Sequence, residues 1–511
     1  MKSTPTNKSA TLDELLFRRQ FILSTDAGHA LDGGQQILIG GCYHLSAHPD
    51  LELTHIEQAG KSLTLLGFAL DPDDPEAGNE EILRRLIVRV DSTEDVFSAV
   101  ESLGGRWVLI VHDGVETTVL HDATGQRQVY FTRPGNGEAV VCASKPGVMA
   151  ERLGFTMDAR AVDFIHSRKS NDYEIYWMPG DTSLYAEIFA LLPNHFLTLS
   201  DGKCHRVWPT QALAPMSYPQ VLAECVRLLR GQIASAQRRF PLAISMTAGW
   251  DSRLMLALHQ QYTEDLYAFT LVYPHLPRES RDVCVPSRLL GKLGIEHHLV
   301  PYPDTIDGAF KEIFRRNNPS ANSAYCADTQ SLYAIYPSDR VCVTGDVAEI
   351  VKCYYERRRP ESEPVSALEL AELGGLGTHP FAVEAFGKWL EHSGGPPIDL
   401  LDLFCWEQMA GRWQARVRAE YDMAQESFAP LNNRRLLRVM LTVDAGMRRG
   451  PDFRLLADLI EALWPDVLSE PINPPERPSR ARRVLNILKK TGLPQRVPDG
   501  AKERIKRAFR S

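Results

Sequence analysis

The hydrophobic pattern divides the chain into an early part rich in short strands and a later part in which strands alternate with helices. Up to about Thr210 the apolar residues form short runs, such as 63–68 and 106–111, which are separated by turn residues. That spacing is typical of antiparallel β structure. Later, helical periodicity at 217–235 and 282–293 alternates with short apolar runs. The alternation predicts a doubly wound parallel sheet.

The same pattern predicts individual elements. In the early part the helices are 79–90 and 94–103, and the strands are 36–39, 63–68, 106–114, 117–121, 129–132 and 139–144. In the later part the strands are 241–246, 266–273, 296–300 and 341–343, and the helices are 217–235, 253–260, 282–293 and 400–427. Ligands of doubly wound sheets bind beyond the carboxyl ends of the strands. The turn at 247–252, the strand end at 272–273 and the end of the next strand are therefore expected to lie in one crevice.

The turn after strand 241–246 has the composition of an anion-binding loop. Residues 247–252 read Thr-Ala-Gly-Trp-Asp-Ser and lead into a helix. A helix N-terminus offers unpaired N–H groups and partial positive charge, and small residues let a phosphate approach them. Asp251 would repel a bare phosphate, so it suggests a Mg²⁺ ion between carboxylate and phosphate. The loop is not a Walker A sequence, and an ordinary turn capped by Ser252 is the alternative.

This turn resembles the S-G-G-x-D-S pyrophosphate loop of the asparagine synthase family of N-type ATP pyrophosphatases. Gly249, Asp251 and Ser252 match the motif, and Thr247 replaces its first Ser. Ala248 replaces the first Gly, and alanine resists the positive φ that glycine accepts. The resemblance implies an ATP site that includes Val272 for adenine. Its candidate residues are Ser245, Thr247, Ala248, Gly249, Asp251, Ser252, Val272 and Gly345.

The turn after strand 341–343 resembles the family's second motif, S-G-x-G-x-(D)-E. Gly345 and Glu349 match it, with one residue fewer before the acid. Val347 and Ala348 stand where the family has glycine, so the turn is expected to close differently.

The two turns together imply a Mg²⁺ site and catalytic groups. The resemblance implies that Asp251, Asp346 and Glu349 hold the ion that bridges to the triphosphate. Glu349 and Lys352 are the candidate catalytic residues, with Lys352 facing the leaving pyrophosphate. A solvated helix residue is the alternative interpretation of Lys352.

The early part resembles the glutaminase-type half of the same family. The sequence D-x-x-G-x-R-x-x-Y at 122–130 and the strand pair beginning at 105 carry the likeness. They imply an Ntn-hydrolase-like β sandwich with flanking helices. Such glutaminases use an N-terminal Cys whose α-amine is the base, whereas this chain starts at Met1 and has its first cysteine at Cys42. Glutamine hydrolysis is therefore not expected, and ammonia or an amine would supply the nitrogen.

The helical region at 400–427 and the segment after it carry three candidate anion-binding arginines. Arg412, Arg434 and Arg435 are placed where relatives close the acyl-acceptor pocket. Structural ion pairs are the alternative role for these side chains.

Composition narrows the class without naming a substrate. The 511 residues are 44% hydrophobic and 24% charged with a net charge of −8, which is typical of a globular protein and not of a general nucleic-acid binder. The nine cysteines lack zinc-site spacing. The first thirty residues hold no secretory signal, and no run is long enough to span a bilayer. A cytoplasmic protein is expected.

Four segments are predicted along the chain. They are a loose start at 1–30, a glutaminase-like domain at 31–212, an ATP pyrophosphatase domain at 213–475 and a basic tail at 476–511. The ATP pyrophosphatase domain is expected to be doubly wound and adenine nucleotide α hydrolase-like, with a helical end. The tail would suit an acidic partner, a membrane surface or RNA, but a solvated terminal helix is the commoner explanation. The sequence leaves open whether the protein forms a homodimer.

The resemblance as a whole implies an ATP-dependent carbon–nitrogen ligase. A small-molecule or biosynthetic-intermediate carboxylate would attack the α-phosphate and form an acyl-adenylate, and ammonia or an amine would then displace AMP. One alternative is a tRNA-modifying or sulfur-transferring pyrophosphatase, although no reactive cysteine or zinc cluster is evident. The other is a non-catalytic scaffold, because glycines are replaced in both loops.

Overall fold

The computed structural model describes most of the chain between its two ends. The described residues are 12–89, 93–134, 139–168, 177–273, 276, 279–320, 323–357 and 363–475. Within them the chain forms two antiparallel sheets and one parallel sheet, so the predicted mixed α/β class is confirmed. No helix among these residues is long and apolar enough to cross a membrane. The predicted basic tail at 476–511 lies outside the described residues.

The first part of the chain contains both antiparallel sheets. Its strands are β1 (Phe21–Ser24), β2 (Gln35–Ile39), β3 (Tyr43–Ala47), β4 (Leu53–Gln58), β5 (Lys61–Leu70), β6 (Gly104–His112), β7 (Thr117–His121), β8 (Tyr130–Thr132), β9 (Cys142–Ala143), β10 (Ile188–Ala190), β11 (His195–Thr198) and β12 (Lys203–Arg206). Its helices are α1 (Asn79–Ile87), α2 (Thr93–Ala99), α3 (Pro146–Leu153) and α4 (Ala159–Ser167).

These strands make a sandwich with a shared apolar core. One sheet has the order β10-β8-β9-β1-β3-β2 and the other has the order β12-β11-β7-β6-β5-β4. Leu23 and Leu45 of the first sheet pack in one cluster with Val108 and Ile110 of the second. Their neighbours Trp107 and Leu109 belong to a different core cluster, because successive side chains of a strand point to opposite faces.

The second part of the chain contains the parallel sheet and most of the helices. Its strands are β13 (Leu242–Ser245), β14 (Tyr267–Val272), β15 (His297–Pro301), β16 (Val341–Val343) and β17 (Glu426–Phe428). Its helices are α5 (Tyr218–Arg239), α6 (Trp250–Ala257), α7 (Arg281–Lys292), α8 (Gly308–Asn317), α9 (Ser323–Ile335), α10 (Ala367–Leu373), α11 (Pro380–Ser393), α12 (Leu400–Phe404), α13 (Ala415–Tyr421), α14 (Arg434–Leu441), α15 (Ala445–Arg448) and α16 (Arg454–Leu463).

The parallel sheet has helices on both faces. Its order is β15-β14-β13-β16-β17, and every neighbouring pair is parallel. Ile244 packs with residues of α6 and α16 on one face, whereas Ala243 packs with residues of α9 and α13 on the other. The chain order reverses between β13 and β16, so the crevice outside their carboxyl ends is the switch point where such sheets bind ligands.

Two predicted segments differ from the structure. Residues 12–30 are not a loose start, because Leu15 and Phe17 are buried and β1 lies inside the first sheet. The single helix predicted at 400–427 is wrong: a π-helix at Cys405–Gln414 separates α12 from α13, and β17 follows. Pairing of β17 with β16 outweighs the local helical preference.

A buried ionic cluster joins the sandwich to the parallel sheet. The Arg106 guanidinium contacts both oxygens of Asp422 at 2.5 and 3.0 Å and Glu426 at 2.9 Å. The Arg127 guanidinium contacts the other Glu426 oxygen at 2.8 Å. Arg106 and Arg127 come from the sandwich, and their partners come from the end of α13 and from β17. The two parts are therefore held by charges that water scarcely reaches.

Candidate functional site

The candidate site lies where two loops meet at the carboxyl ends of β13 and β16. The first loop leaves β13 after Ser245 and enters α6, whose N-cap is Gly249. The second loop leaves β16 and enters a short 3₁₀ helix at Ala348–Lys352. Because Ile244 pairs with Val343, both loops start at the same level of the sheet.

Hydrogen bonds within the first loop hold it in a closed shape. The Thr247 N–H donates to Ser252 Oγ at 3.2 Å, and the Ser252 hydroxyl donates to the Thr247 carbonyl at 3.0 Å. The Gly249 N–H donates to Thr247 Oγ1 at 3.2 Å. These bonds preorganise the turn, but they also occupy backbone N–H groups that would otherwise be free to donate to a phosphate.

Ala248 fits the loop without strain. Its φ lies outside the left-handed region, so the expected penalty for replacing glycine does not arise. Its N–H donates to Asp282 Oδ1 at 3.0 Å, and its carbonyl accepts the Asn473 N–H at 2.9 Å. A carboxylate from α7 therefore holds an amide of the loop where an anion would compete for it.

The second loop keeps a glycine-like backbone at a residue that is not glycine. Val347 has φ of 75°, which is left-handed, and its N–H donates to Gln414 Oε1 at 3.0 Å. That conformation costs an L-residue about 1–2 kcal/mol. The Val347 side chain is fully buried, and burying a valine contributes about 1.5–3 kcal/mol. Packing offsets the strain, so the loop keeps its shape despite the substitution.

Gly345 lets the two loops touch. A Cβ atom at this position would lie 2.7 Å from the Asp251 Cβ, which is closer than real Cβ contacts. Its φ is not left-handed, so the requirement is one of space. The glycine matched by the second motif therefore serves the approach of Asp251.

The structure brings three predicted residues into one charged group. Lys352 Nζ lies 2.9 and 2.8 Å from the two Asp251 carboxylate oxygens and 3.2 Å from Glu349 Oε1. Gln414 Nε2 donates to the second Glu349 oxygen at 2.7 Å. The Lys352 side chain is 12% exposed, so the solvated-residue interpretation of Lys352 is wrong.

One ammonium between two carboxylates explains the protonation behaviour of the group. Burial is the largest cause that raises the pKa of Asp251, to about 6, and Glu349 adds to it while Lys352 opposes it. Burial would lower the pKa of Lys352, but Glu349 and Asp251 together raise it. Lys352 therefore stays charged at neutral pH, and Asp251 ionises in a buried place that already holds the Glu349 carboxylate.

Asp346, the third predicted metal ligand, is held by other partners. Arg418 Nε lies 2.5 Å from Asp346 Oδ2, and the Thr344 hydroxyl donates to the same oxygen at 3.0 Å. Among the described residues, no group of three or more His, Cys, Asp or Glu side chains is arranged to hold a metal. The arrangement therefore does not fit the expected Mg²⁺ site, because a lysine lies between Asp251 and Glu349 and an arginine engages Asp346.

Val272, the candidate adenine contact, lies farther along its strand than the first loop. Ser245 is level with Phe269 in the pairing of β13 and β14, and Val272 is the last residue of β14. Val272 pairs with Pro301 of β15. It is at the correct edge of the sheet for the predicted role, which stays a prediction.

An open pocket of about 650 Å³ adjoins the charged group. Lys352 stands at its wall, 5.9 Å from the centre of the Phe453 ring, and the half-exposed Tyr354 and Arg449 line it further. Its size is that of a small-molecule site. The predicted second loop thus borders a space that could receive a substrate.

The glutaminase-like motif makes structural contacts. Asp122 accepts the N–H of Arg127 at 2.9 Å and the side-chain amide of Asn432 at 2.9 Å. The residues before β1 are also packed, since the Phe17 N–H donates to Asn317 Oδ1 at 2.6 Å. Cys42 lies in the turn after β2 and is exposed.

The three candidate arginines make structural contacts too. Arg412 donates to the Tyr130 hydroxyl and the Thr182 carbonyl, Arg434 to Asn194, and Arg435 forms an ion pair with Glu224. Trp406 of the same region donates to the Ala123 carbonyl across the junction of the two parts. Arg435 thus makes a structural ion pair of the kind that the alternative interpretation expects, whereas Arg412 and Arg434 bond to neutral groups of the first part and fasten the two parts together.

Sequence reasoning missed four residues that shape the site. Three of them reach it with their side chains, Asp282 from α7, Gln414 from the π-helix and Arg418 from α13, and Asn473 reaches it with its backbone N–H from the segment after α16. All four are distant in sequence from the loops they touch and follow no local motif. Predicting these contacts would have required knowing how distant elements of the chain pack against each other.

No family model matches the chain, and no curated protein matches its sequence. Among solved structures, a glutamine PRPP amidotransferase from B. subtilis complexed with ADP and GMP covers 74% of this chain and 89% of its own, with 11% identity and a TM-score of 0.25. A glutamine-dependent NAD⁺ synthetase from Acinetobacter baumannii in complex with ADP covers 44% of each chain, with 13% identity and a TM-score of 0.19. An allosteric regulatory enzyme of purine biosynthesis covers 74% and 87%, with 11% identity and a TM-score of 0.25. Overlaps at this level do not establish a shared fold.

Proposed function

We propose that this protein is an ATP-dependent ligase that activates a carboxylate as an acyl-adenylate and joins it to ammonia or an amine. The observation that carries the proposal is the meeting of the two predicted loops at the switch point of a parallel sheet, with Gly345 against Asp251. If the segment after β13 were only a turn between a strand and a helix, it would not need the second loop to pack against Asp251. The pyrophosphate-type loop and the second acidic loop thus lie where a nucleotide would be bound.

Each part of the site has a role in this proposal. The N-terminus of α6 would receive the triphosphate, with Thr247, Gly249 and Ser252 closest to it. Lys352 would offset phosphate charge, since its Nζ lies 2.8 Å from the Asp251 carboxylate that follows the loop. Glu349 holds Lys352 in position through its 3.2 Å contact. The adjoining pocket, with Arg449 and Tyr354 in its wall, would take the carboxylate substrate.

The sandwich is proposed to be an Ntn-hydrolase-like scaffold without glutaminase chemistry. Its motif residues Asp122 and Arg127 are committed to the junction. A packed segment precedes β1, so a free α-amine does not arise there unless the chain is cleaved. Ammonia or an amine substrate would therefore be the nitrogen donor. The two proposed domains correspond to residues 31–212 and 213–475, with the segment from Leu12 added to the first.

A second candidate function, a scaffold that binds no nucleotide, is favoured by one observation. Asp282 accepts the Ala248 N–H at 3.0 Å, and the Thr247 and Gly249 N–H groups are bonded within the loop. A carboxylate beside the loop opposes a phosphate through charge as well as through competition for the amide.

The deciding experiment is ATP–[³²P]pyrophosphate exchange with a panel of carboxylic acids, alongside ATP binding by calorimetry. Exchange that depends on one acid and is lost in Asp251→Ala supports the ligase and names its substrate. ATP binding without exchange leaves the nucleotide site standing and calls for other acids. No ATP binding to the folded protein refutes the ligase and supports the scaffold.

A further inference from the structure

The most specific feature of the site is an ammonium placed between two carboxylates. Lys352 Nζ contacts both oxygens of Asp251 and one oxygen of Glu349, all within 3.2 Å. An ammonium has three donors, and the three contacts match that number. A bridging divalent ion would have to use the same oxygens.

Two further oxygens of the acidic residues are also engaged. Glu349 Oε2 accepts Gln414 Nε2 at 2.7 Å, and Asp346 Oδ2 lies 2.5 Å from Arg418 Nε. Mg²⁺ needs oxygen ligands in near-octahedral geometry at about 2.0–2.1 Å and gives up its water reluctantly. An ion entering here would first have to displace Lys352 from its buried position.

The fold holds the lysine in place. Lys352 lies three residues after Glu349 in the same 3₁₀ helix, and Cys353 ends that helix with φ of 49°. The Phe453 ring lies 5.9 Å from Nζ on the pocket side. Two carboxylates and one ammonium leave a net charge of −1, whereas the same pair without the lysine would carry −2.

We propose that Lys352 is the built-in cation of the Asp251–Glu349 pair. The free protein then binds no divalent ion between these carboxylates, and removing the ammonium turns them into a divalent-cation site. In this chain the lysine, and not a metal ion, joins the two loops before any nucleotide arrives.

The test is Mn²⁺ binding to the full-length protein without nucleotide, followed by the electron paramagnetic resonance signal of free Mn²⁺. Mn²⁺ takes the same oxygen ligands as Mg²⁺. Lys352→Met, which keeps the chain length but removes the charge, should bind Mn²⁺ about tenfold or more tightly than wild type. The gain should vanish in Lys352→Met combined with Asp251→Asn. Lys388→Met is the matched control, since Lys388 pairs with Glu384 on the exposed face of α11.

Two outcomes would overturn the proposal. One is submillimolar Mn²⁺ binding by wild type that is lost in Asp251→Asn, because the site would then hold a metal with Lys352 in place. The other is a folded Lys352→Met protein, judged by circular dichroism, that gains no affinity. If Lys352→Met does not fold, the comparison of wild type with Asp251→Asn still decides the first outcome. Neither measurement involves ATP, so this proposal and the ligase proposal can fail separately.

Discussion

Glu426 is the point at which the junction of the two parts can be tested most sharply. Its carboxylate receives Arg106 at 2.9 Å on one oxygen and Arg127 at 2.8 Å on the other. The Arg106, Arg127 and Glu426 side chains are 1%, 2% and 15% exposed. Glu426→Gln keeps the shape of the side chain and removes its charge. Arg106 would retain Asp422, but Arg127 would lose its carboxylate partner.

The expected cost follows from the burial of that arginine. Breaking a buried ion pair by neutralising one partner costs about 3–5 kcal/mol, because a charge is left uncompensated. The pKa of Glu426 leads to a similar magnitude. Burial would raise it, but Arg127, Arg106 and Arg19 lower it from 4.5 to about 2. That drop corresponds to about 3 kcal/mol in favour of the charged form. We therefore expect Glu426→Gln to lose about 3 kcal/mol of unfolding free energy at pH 7.

The pH dependence has a defined sign. The folded-state pKa is lower than the unfolded value, so the stabilisation is complete above pH 4.5 and is lost as the pH falls towards 2. The variant should therefore differ most from wild type at neutral pH and converge with it in acid. Urea unfolding followed by tryptophan fluorescence measures both, since Trp107 is buried next to Arg106 in the chain and its backbone N–H donates to Asp122 beside the cluster.

Glu80→Gln is the matched control for the same chemical change. Glu80 pairs with Arg84 along α1, and both side chains are more than half exposed. Such a pair contributes about 0.3–0.5 kcal/mol. A Glu426→Gln protein within about 1 kcal/mol of wild type at pH 7 would refute the view that this cluster holds the junction. That result would also mean that Arg127 does not depend on the Glu426 charge.

Three further predictions concern the site. Asp282→Asn keeps the acceptor for the Ala248 N–H and should tighten ATP binding about fivefold, because about 1 kcal/mol of repulsion is removed; unchanged affinity in calorimetry would contradict this. Gly345→Ala places a methyl group 2.7 Å from the Asp251 Cβ and should cost about 1–3 kcal/mol and abolish exchange, whereas Gly291→Ala within α7, which meets no atom within 4 Å, should stabilise the protein by up to about 1 kcal/mol in urea unfolding. Asp251→Asn should be at least as stable as the wild type at pH 7, because burial and Glu349 raise the pKa of Asp251 and so make its ionisation unfavourable as the pH rises from about 4 to 6; a clearly lower stability in urea unfolding would be inconsistent with that direction.

The sequence predicted the parallel sheet better than the sandwich. The strands at 266–273, 296–300 and 341–343 lie between helices of regular period, and each appears within a residue or two of its predicted bounds. In contrast, β1 of the sandwich is buried along its whole length and shows no alternation. The strand of the parallel sheet that was missed is β17, which has only three residues. Short strands of this kind form because their neighbours pair with them, which no local pattern reveals.

The candidate site was also predicted only in part. The rule that ligands bind at carboxyl strand ends and the resemblance to two family motifs together predicted Asp251, Glu349 and Lys352 as one site, and Lys352 does contact the other two residues. The rule does not predict which residue each charged side chain will pair with. Asp346 forms an ion pair with Arg418 of α13, and that pairing depends on the packing of a helix more than seventy residues away in the sequence. The metal-ligand set was therefore the part of the prediction that the structure changed.

The glycines of the two motifs show how a departure from a pattern should be weighed. Glycine is needed where φ is left-handed or where a Cβ would collide. Ala248 meets neither condition, so its substitution costs the loop nothing. Val347 meets the first, and its buried side chain offsets the strain. Gly345 meets the second, and there glycine is kept. Glycine thus remains at the contact on which the approach of Asp251 depends, and this favours an operating pair of loops over a decayed one.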